Sequence, residues 1–270
     1  MKKLLIGFMI LIGLYLYATT PKMWKRQDLK IFKRYHYAHR GLHSKKKNIP
    51  ENSLAAFALA VQKGYGIELD IQLSKDGQPV VFHDYTLNRM CGVDKRVDEL
   101  DWDALKKLRL KDSDETIPHL KEALALIDGK VPLLVEFKGE TSDVSVCEKA
   151  IDLLDSYQGE YMVESFNPYL LVWFRKHRPQ IVRGQLSTDF IKEGETGSKR
   201  MYFILKNLLL NFRTKPDFIA FGYKYRTSFT YKMVKRITKV PTIAWTVTSK
   251  EIFDEIQGDY DMFIFEKFDL

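Results

Sequence analysis

The sequence predicts an α/β fold, a (β/α)8 TIM barrel carrying an N-terminal apolar helix. Eight short apolar runs alternate with amphipathic helical stretches, the pattern of parallel β/α units. Once the first thirty or so residues are set aside, about 240 remain, enough for one large α/β domain. The composition of the 270-residue chain, 45% hydrophobic, 29% charged and 13% aromatic, excludes disordered, collagen-like and coiled-coil readings. Two cysteines, Cys91 and Cys147, cannot build a disulfide scaffold and do not fix the redox compartment.

Lys2 and Lys3 precede eighteen uncharged residues that end at Pro21. As a helix that run spans about 27 Å, slightly short of a hydrocarbon core of about 30 Å. A single-pass anchor and a secretory signal peptide both fit. Cleavage after Ala18 would put Leu16 where a small residue is wanted, which favours the anchor. The flanking basic residues nearly balance, so they do not choose a side. A short tail left in the cytoplasm would make the body extracytoplasmic. The domain reading is therefore an anchor or signal over residues 1–21, a basic juxtamembrane neck over 22–34 and a barrel over 35–270.

Within the body, strands are predicted over residues 35–39, 66–73, 132–138, 161–166, 181–187, 217–222, 242–247 and 262–265. The first helix follows from Leu54, Phe57, Ala58 and Val61 at i, i+3, i+4 and i+7, with Ser53 as N-cap and Gly64 beyond the end. Further helices are predicted over 105–110, 119–127, 144–157, 169–176, 201–212, 230–238 and 249–256. Asp76-Gly77 between two strand-like runs is a hairpin signal, so 80–83 is read as a return arm outside the barrel. The chain ends five residues after the last strand, so a closing eighth helix is missing, and 24–34 is the candidate to cover that gap. The apolar stretch 201–212 suits either a packed barrel helix or a membrane-facing lip.

The net charge of +8 invites a nucleic-acid reading, and its distribution argues against one. Residues 1–47 hold twelve basic side chains and one acidic, a net of +11, which leaves the rest of the chain at −3. No nucleic-acid face and no protein partner is evident. The excess belongs to the apolar segment's flanks and to the stretch around Arg40 and Lys45–Lys47.

Glu68 and Asp70, two apart on a predicted strand, point to one face. Glu136 and Lys138 repeat the arrangement on the next strand. Three converging carboxylates need a cation or a proton to coexist, and an all-oxygen set suits Mg2+ or Ca2+. No Cys/His cluster has zinc spacing. His39 and His83 each end a strand-like run, where a general acid and a general base near neutral pH are wanted. Arg40 offers a fork for phosphate. Buried ion pairs and hydrogen-bonded histidines would account for each residue alone; their joint placement favours chemistry.

These residues carry a family resemblance. His39-Arg40-Gly41, Pro50-Glu51-Asn52-Ser53, Glu68-Leu69-Asp70, Asp76-Gly77, Val81-Phe82-His83-Asp84 and Glu136-Phe137-Lys138 resemble the glycerophosphodiester phosphodiesterase family in order and spacing. Ser165-Phe166 and Trp245-Thr246-Val247 extend the likeness more loosely. The resemblance implies a TIM barrel that hydrolyses glycerophosphodiesters to glycerol phosphate and an alcohol, with a divalent metal. It implies Glu68, Asp70 and Glu136 as metal ligands, His39 and His83 as catalytic residues, and Arg40 and Lys138 as substrate-binding residues. It also makes attack by the neighbouring glycerol hydroxyl, through a cyclic phosphate, the expected route. The family's insertion after His-Asp is short here, at 85–118. One departure lies at the last strand, where the family tends to have Thr-Asp and this chain has Glu266-Lys267; it is expected to leave the catalytic matches untouched. Lysophospholipase D activity on membrane lysolipids, cleavage of the other P–O bond and a silent anchored binding module are the alternatives.

Overall fold

The computed structural model describes residues 1–270. The strands are β1 (Tyr37–Ala38), β2 (Gly66–Leu73), β3 (Pro79–Val81), β4 (Leu133–Phe137), β5 (Tyr161–Ser165), β6 (Arg183–Ser187), β7 (Phe218–Gly222), β8 (Thr242–Val247) and β9 (Met262–Phe265). Two-residue β1 pairs in parallel with both β2 and β9, closing eight parallel strands into a barrel. The return arm β3 lies outside the ring, antiparallel on β2. The helices are α1 (Lys2–Thr19), α2 (Leu54–Lys63), α3 (Asn88–Cys91), α4 (Trp102–Leu105), α5 (Leu120–Ile127), α6 (Ser145–Ser156), α7 (Pro168–His177), α8 (Lys199–Lys206), α9 (Asn211–Thr214), α10 (Phe229–Thr238) and α11 (Lys250–Ile256).

The alternation of side chains builds two cores. On β2, Ile67, Leu69 and Ile71 face the helices, and on β4 Leu133, Val135 and Phe137 do the same. The opposite faces carry Leu134, Phe218, Ile243 and Ile264 into the barrel interior. Gly184 is required there: a Cβ at that position would sit 2.0 Å from the Phe218 ring. The Ser53 hydroxyl accepts from Ala56 N–H at the start of α2, and Gly64 ends it with φ +74°. The segment 85–118 has a small core of its own around Leu87, Met90, Val97 and Leu105.

Three expectations are corrected. The helix over 105–110 does not form; α4 is one turn ending at Leu105, because Leu105 and Leu110 are anchors of the insertion's core, not one face of a helix. The stretch 201–212 breaks after Lys206, where Leu208 turns to φ 55° and buries itself. Residues 24–34 do not stand in for a last helix. Leu29 and Phe32 enter the barrel interior and close its floor, the end at which the strands begin. Phe268 and Leu270 cover the outer face of the last unit instead, with the Tyr65 hydroxyl donating to Leu270 O at 2.6 Å.

The charges of 22–34 are absorbed by the same floor. Lys22 pairs with buried Asp217 at 3.0 Å, Arg26 donates to the Thr238 carbonyl at the end of α10 at 2.9 Å, and Lys33 pairs with Asp261 at 2.6 Å. The segment is the floor of the barrel rather than a linker standing off it.

Candidate active site

The strand C-termini carry the polar residues. Asp70 of β2 is the direct register partner of Glu136 of β4, so the inward faces of both strands put Glu68, Asp70 and Glu136 together. One oxygen from each lies within 4.8 Å of the others, and all three are buried. Burial, with Asp70 and Glu136 as neighbours, raises the Glu68 carboxyl well above its ordinary range. Glu136 is raised too, by burial, against the pull of Lys138. Asp70 goes the other way: burial opposes its ionisation, but His83, Lys138, Arg40 and a hydrogen bond from Asn52 Nδ2 at 2.8 Å lower its pKa. Lys138 Nζ stands 2.9 Å from Glu136 and 3.4 Å from Asp70. Lys138 and Arg40 offset part of the negative charge, and at Glu68 burial and the two neighbouring carboxylates outweigh the pull of Arg40. That all-oxygen donor set fits a hard divalent cation such as Mg2+ or Ca2+.

The His39-Arg40-Gly41 turn follows β1 and is shaped by backbone. Arg40 has φ 54° and its N–H donates to Glu68 Oε2 at 2.8 Å. Gly41 has φ +75°, and a Cβ there would lie 2.9 Å from the Ala56 backbone and from the Phe57 ring. Only glycine meets both conditions. Arg40 Nη1 donates to Glu51 Oε1 at 2.5 Å, and Arg40 Nε faces Asp70 at 3.5 Å. The Pro50-Glu51-Asn52-Ser53 motif thereby resolves into three tasks: Glu51 orients Arg40, Asn52 orients Asp70, and Ser53 caps α2.

Each histidine has a carboxylate behind it. His83 Nδ1 donates to Asp84 Oδ1 at 2.6 Å, and Asp84 is held by Arg89, which also reaches Glu51. Burial opposes the ionisation of Glu51, yet hydrogen bonds from Arg89 and Arg40 and their charges pull its carboxyl down to about 2. A chain of ion pairs thus joins His83 to Arg40. Gln72 Nε2 donates to the carbonyls of Phe82 and Asp84 and fixes the arm that carries His83. Across the site, His39 Nδ1 donates to Glu266 Oε2 at 2.8 Å, leaving the Nε2 lone pair free. Burial and the neighbouring Arg40 charge lower His39 to about 4, against the pull of Glu266. Its imidazole is therefore neutral at physiological pH.

Glu266 departs from the expectation that the change at the last strand leaves the catalytic matches untouched: it is the acceptor for His39 and lies 3.5 Å from His43 Nε2. The reason is closure. The register Ala38↔Phe265 sets the residues after β1 and β9 side by side. Asp84 and Glu51 were visible only as parts of motifs. A fourth inward carboxyl, Glu164, is the register partner of Glu136; it is 1% exposed and its Oε2 has no hydrogen-bond partner.

Two connected spaces meet at these residues. A chamber of about 90 Å³ is lined by His39, Arg40, Glu68, His83, Glu136 and Glu164. A cleft of about 930 Å³ opens beside it, sharing His83, Glu136, Phe166 and Trp245. Its wall is an aromatic chain: Trp245 packs edge-on to Phe166, Phe166 to Phe190, and Phe190 stacks on Tyr202.

Residues 39–262 match the Glycerophosphoryl diester phosphodiesterase family. This chain belongs to that family. YhdW of Bacillus subtilis (strain 168) is 30% identical over 235 residues, covering 83% of this chain and 90% of that protein. A glycerophosphodiester phosphodiesterase of Caldanaerobacter subterraneus subsp. tengcongensis is 38% identical over 160 residues, 55% of this chain and 65% of that protein's length. Among solved structures, a phosphodiesterase of Oleispira antarctica in complex with the product sn-glycerol-3-phosphate superposes with a TM-score of 0.69 at 24% identity, covering 86% of this chain and 92% of that one. The family's barrel is thus shared along nearly the whole body, and the eight-stranded ring predicted from the sequence is the observed one.

Proposed function

We propose that this chain is a membrane-anchored, metal-dependent phosphodiesterase that hydrolyses glycerophosphodiesters to glycerol phosphate and an alcohol. The observation that carries it is the pairing of two carboxylate-backed histidines, His39 with Glu266 and His83 with Asp84, around one buried tricarboxylate. Family membership supports the same substrate class.

Glu68, Asp70 and Glu136 would hold the cation. When bound, it would neutralise phosphate charge and acidify a coordinated hydroxyl. His39, neutral and with Nε2 free, accepts the proton of the attacking glycerol hydroxyl. His83 delivers a proton to the oxygen of the departing alcohol as the P–O bond breaks. A water then opens the resulting cyclic phosphate, with the two histidines exchanging roles. Arg40 and Lys138 place fixed positive charge against the phosphate oxygens. Glu266 and Asp84 keep each ring oriented throughout.

The anchor reading rests on α1, an 18-residue helix of mean hydropathy 1.5 whose first thirteen residues, Lys2 to Leu14, are all exposed. A cleaved secretory signal peptide is the rival, and an extracytoplasmic body is our reading of its orientation. The test for the chemistry is glycerophosphocholine turnover with chelator and with Mg2+ or Ca2+ added back. Glycerol phosphate should form only with metal. Phosphocholine as product would indicate the other P–O bond, and metal-independent turnover would remove the tricarboxylate from the mechanism.

A further inference from the structure

We propose that the rim formed by the strand C-termini is a membrane-contacting face, and that α1 holds it so that the active-site cleft opens onto the bilayer. This rests on the anchor reading of α1 and adds an orientation to it.

The direction of α1 follows from its contacts. α10 leads from the active-site end of β7 down to the floor, where β8 begins. The Tyr15 hydroxyl bonds Thr230 at the upper end of α10, at 2.6 Å. Thr19 O accepts from Asn211 on α9, and Lys22 N–H donates to Pro216 O just before β7. Arg26 then reaches Thr238 and Lys239 at the lower end of α10. From Tyr15 to Arg26 the chain therefore runs down the barrel's flank, from active-site end to floor. Its N-terminal continuation points the opposite way, past the active-site rim.

Length removes the alternative of a barrel held away from the membrane. The thirteen free helical residues rise about 20 Å, against a hydrocarbon core of about 30 Å. Lys2 and Lys3 reach the far polar zone only by extending their own stems and with the rim seated in the near interface. The rim is built for that contact. Tyr169, Ile191, Met201, Phe203 and Phe229 are exposed there, with Phe229 75% accessible. Tyr169 and Met201 also line the cleft. Exposed Lys45, Lys46 and Lys47 lie on a turn after β1 at the same end. Glu193 and Glu195 at the cleft mouth oppose them only in part. A diester whose acyl chain stays in the lipid would then enter sideways along the aromatic wall. The segment 22–34, the most basic part of the chain's start, faces away from the lipid.

The experiment uses the full chain reconstituted into phosphatidylcholine/phosphatidylglycerol vesicles. Single cysteines replace Phe203, Phe229 or Ile237 in a Cys91→Ser, Cys147→Ala background and carry an environment-sensitive fluorophore. Ile237 lies at the floor end of α10, and all three side chains are exposed, so the substitutions spare the fold. Flotation of the vesicles reads anchoring. Quenching by nitroxide on the lipid reads orientation, and the Phe203→Cys and Phe229→Cys labels should be quenched at least twofold more than the Ile237→Cys label. Flotation with equal quenching at all three, or stronger quenching at the floor, overturns the orientation and leaves the anchor standing. Failure to float removes the anchor reading and the orientation with it.

Discussion

Replacing Glu266 tests how His39 is made into a base. In Glu266→Gln the side chain still offers an oxygen to His39 Nδ1–H, but the charge is gone. A hydrogen bond to a charged partner contributes about 1.5–3 kcal/mol and a neutral one about half of that. At about 1.4 kcal/mol per factor of ten, losing the charge should lower kcat/KM about 4- to 12-fold, and Glu266→Ala, which removes the bond, about 10- to 150-fold. The sign of the pH effect is also fixed. Glu266 raises the His39 pKa against burial and Arg40, which together hold it at about 4. Its removal lowers that pKa further, so the acid limb of kcat/KM must move to lower pH while the plateau falls. The assay is release of glycerol phosphate from glycerophosphocholine between about pH 3 and 8, with saturating metal and circular dichroism to check folding. An unchanged plateau, or an acid limb that moves up, would refute the role given to Glu266.

Gly41→Ala should destabilise the fold by about 3 kcal/mol or more, since a positive φ and a 2.9 Å contact with backbone act together, and urea unfolding measures it. His39 makes stability rise with pH: its folded pKa of about 4 lies below the ordinary 6.5, so its contribution is complete above about 6.5 and is lost as pH falls to about 4. The loss is at most about 3 kcal/mol, and His39→Asn should flatten that part of a urea-midpoint profile. Glu68→Gln should abolish saturable Ca2+ or Mg2+ binding by calorimetry, because it removes one of three buried donors. Retained binding of unchanged affinity would place the cation elsewhere.

The barrel was legible because its strands alternate cleanly. Ile67, Leu69 and Ile71 against Glu68, Asp70 and Gln72 announce both a strand and which face carries the chemistry. The Asp76-Gly77 turn announced the return arm for the same local reason. What the sequence hid depends on contacts between distant segments. Glu266 becomes His39's partner only when β9 pairs with β1, a register no local pattern encodes. Leu29 and Phe32 read as part of a basic linker until the barrel's open floor is there to receive them. The 105–110 run carries helical spacing, and its leucines were recruited by the insertion's own core. Net charge misled in a similar way: Lys22, Arg26 and Lys33 look like a surface patch in sequence and are ion-paired or bonded to carbonyls in the fold.

The most direct test of the central claim is a phosphorus NMR time course of glycerophosphocholine with the purified chain and divalent metal. Glycerol phosphate is expected as the final phosphorus species, with a transient cyclic phosphate before it, and both should be lost in His39→Ala and in His83→Ala. Phosphocholine as the product, or wild-type-like turnover in both variants, would contradict that claim.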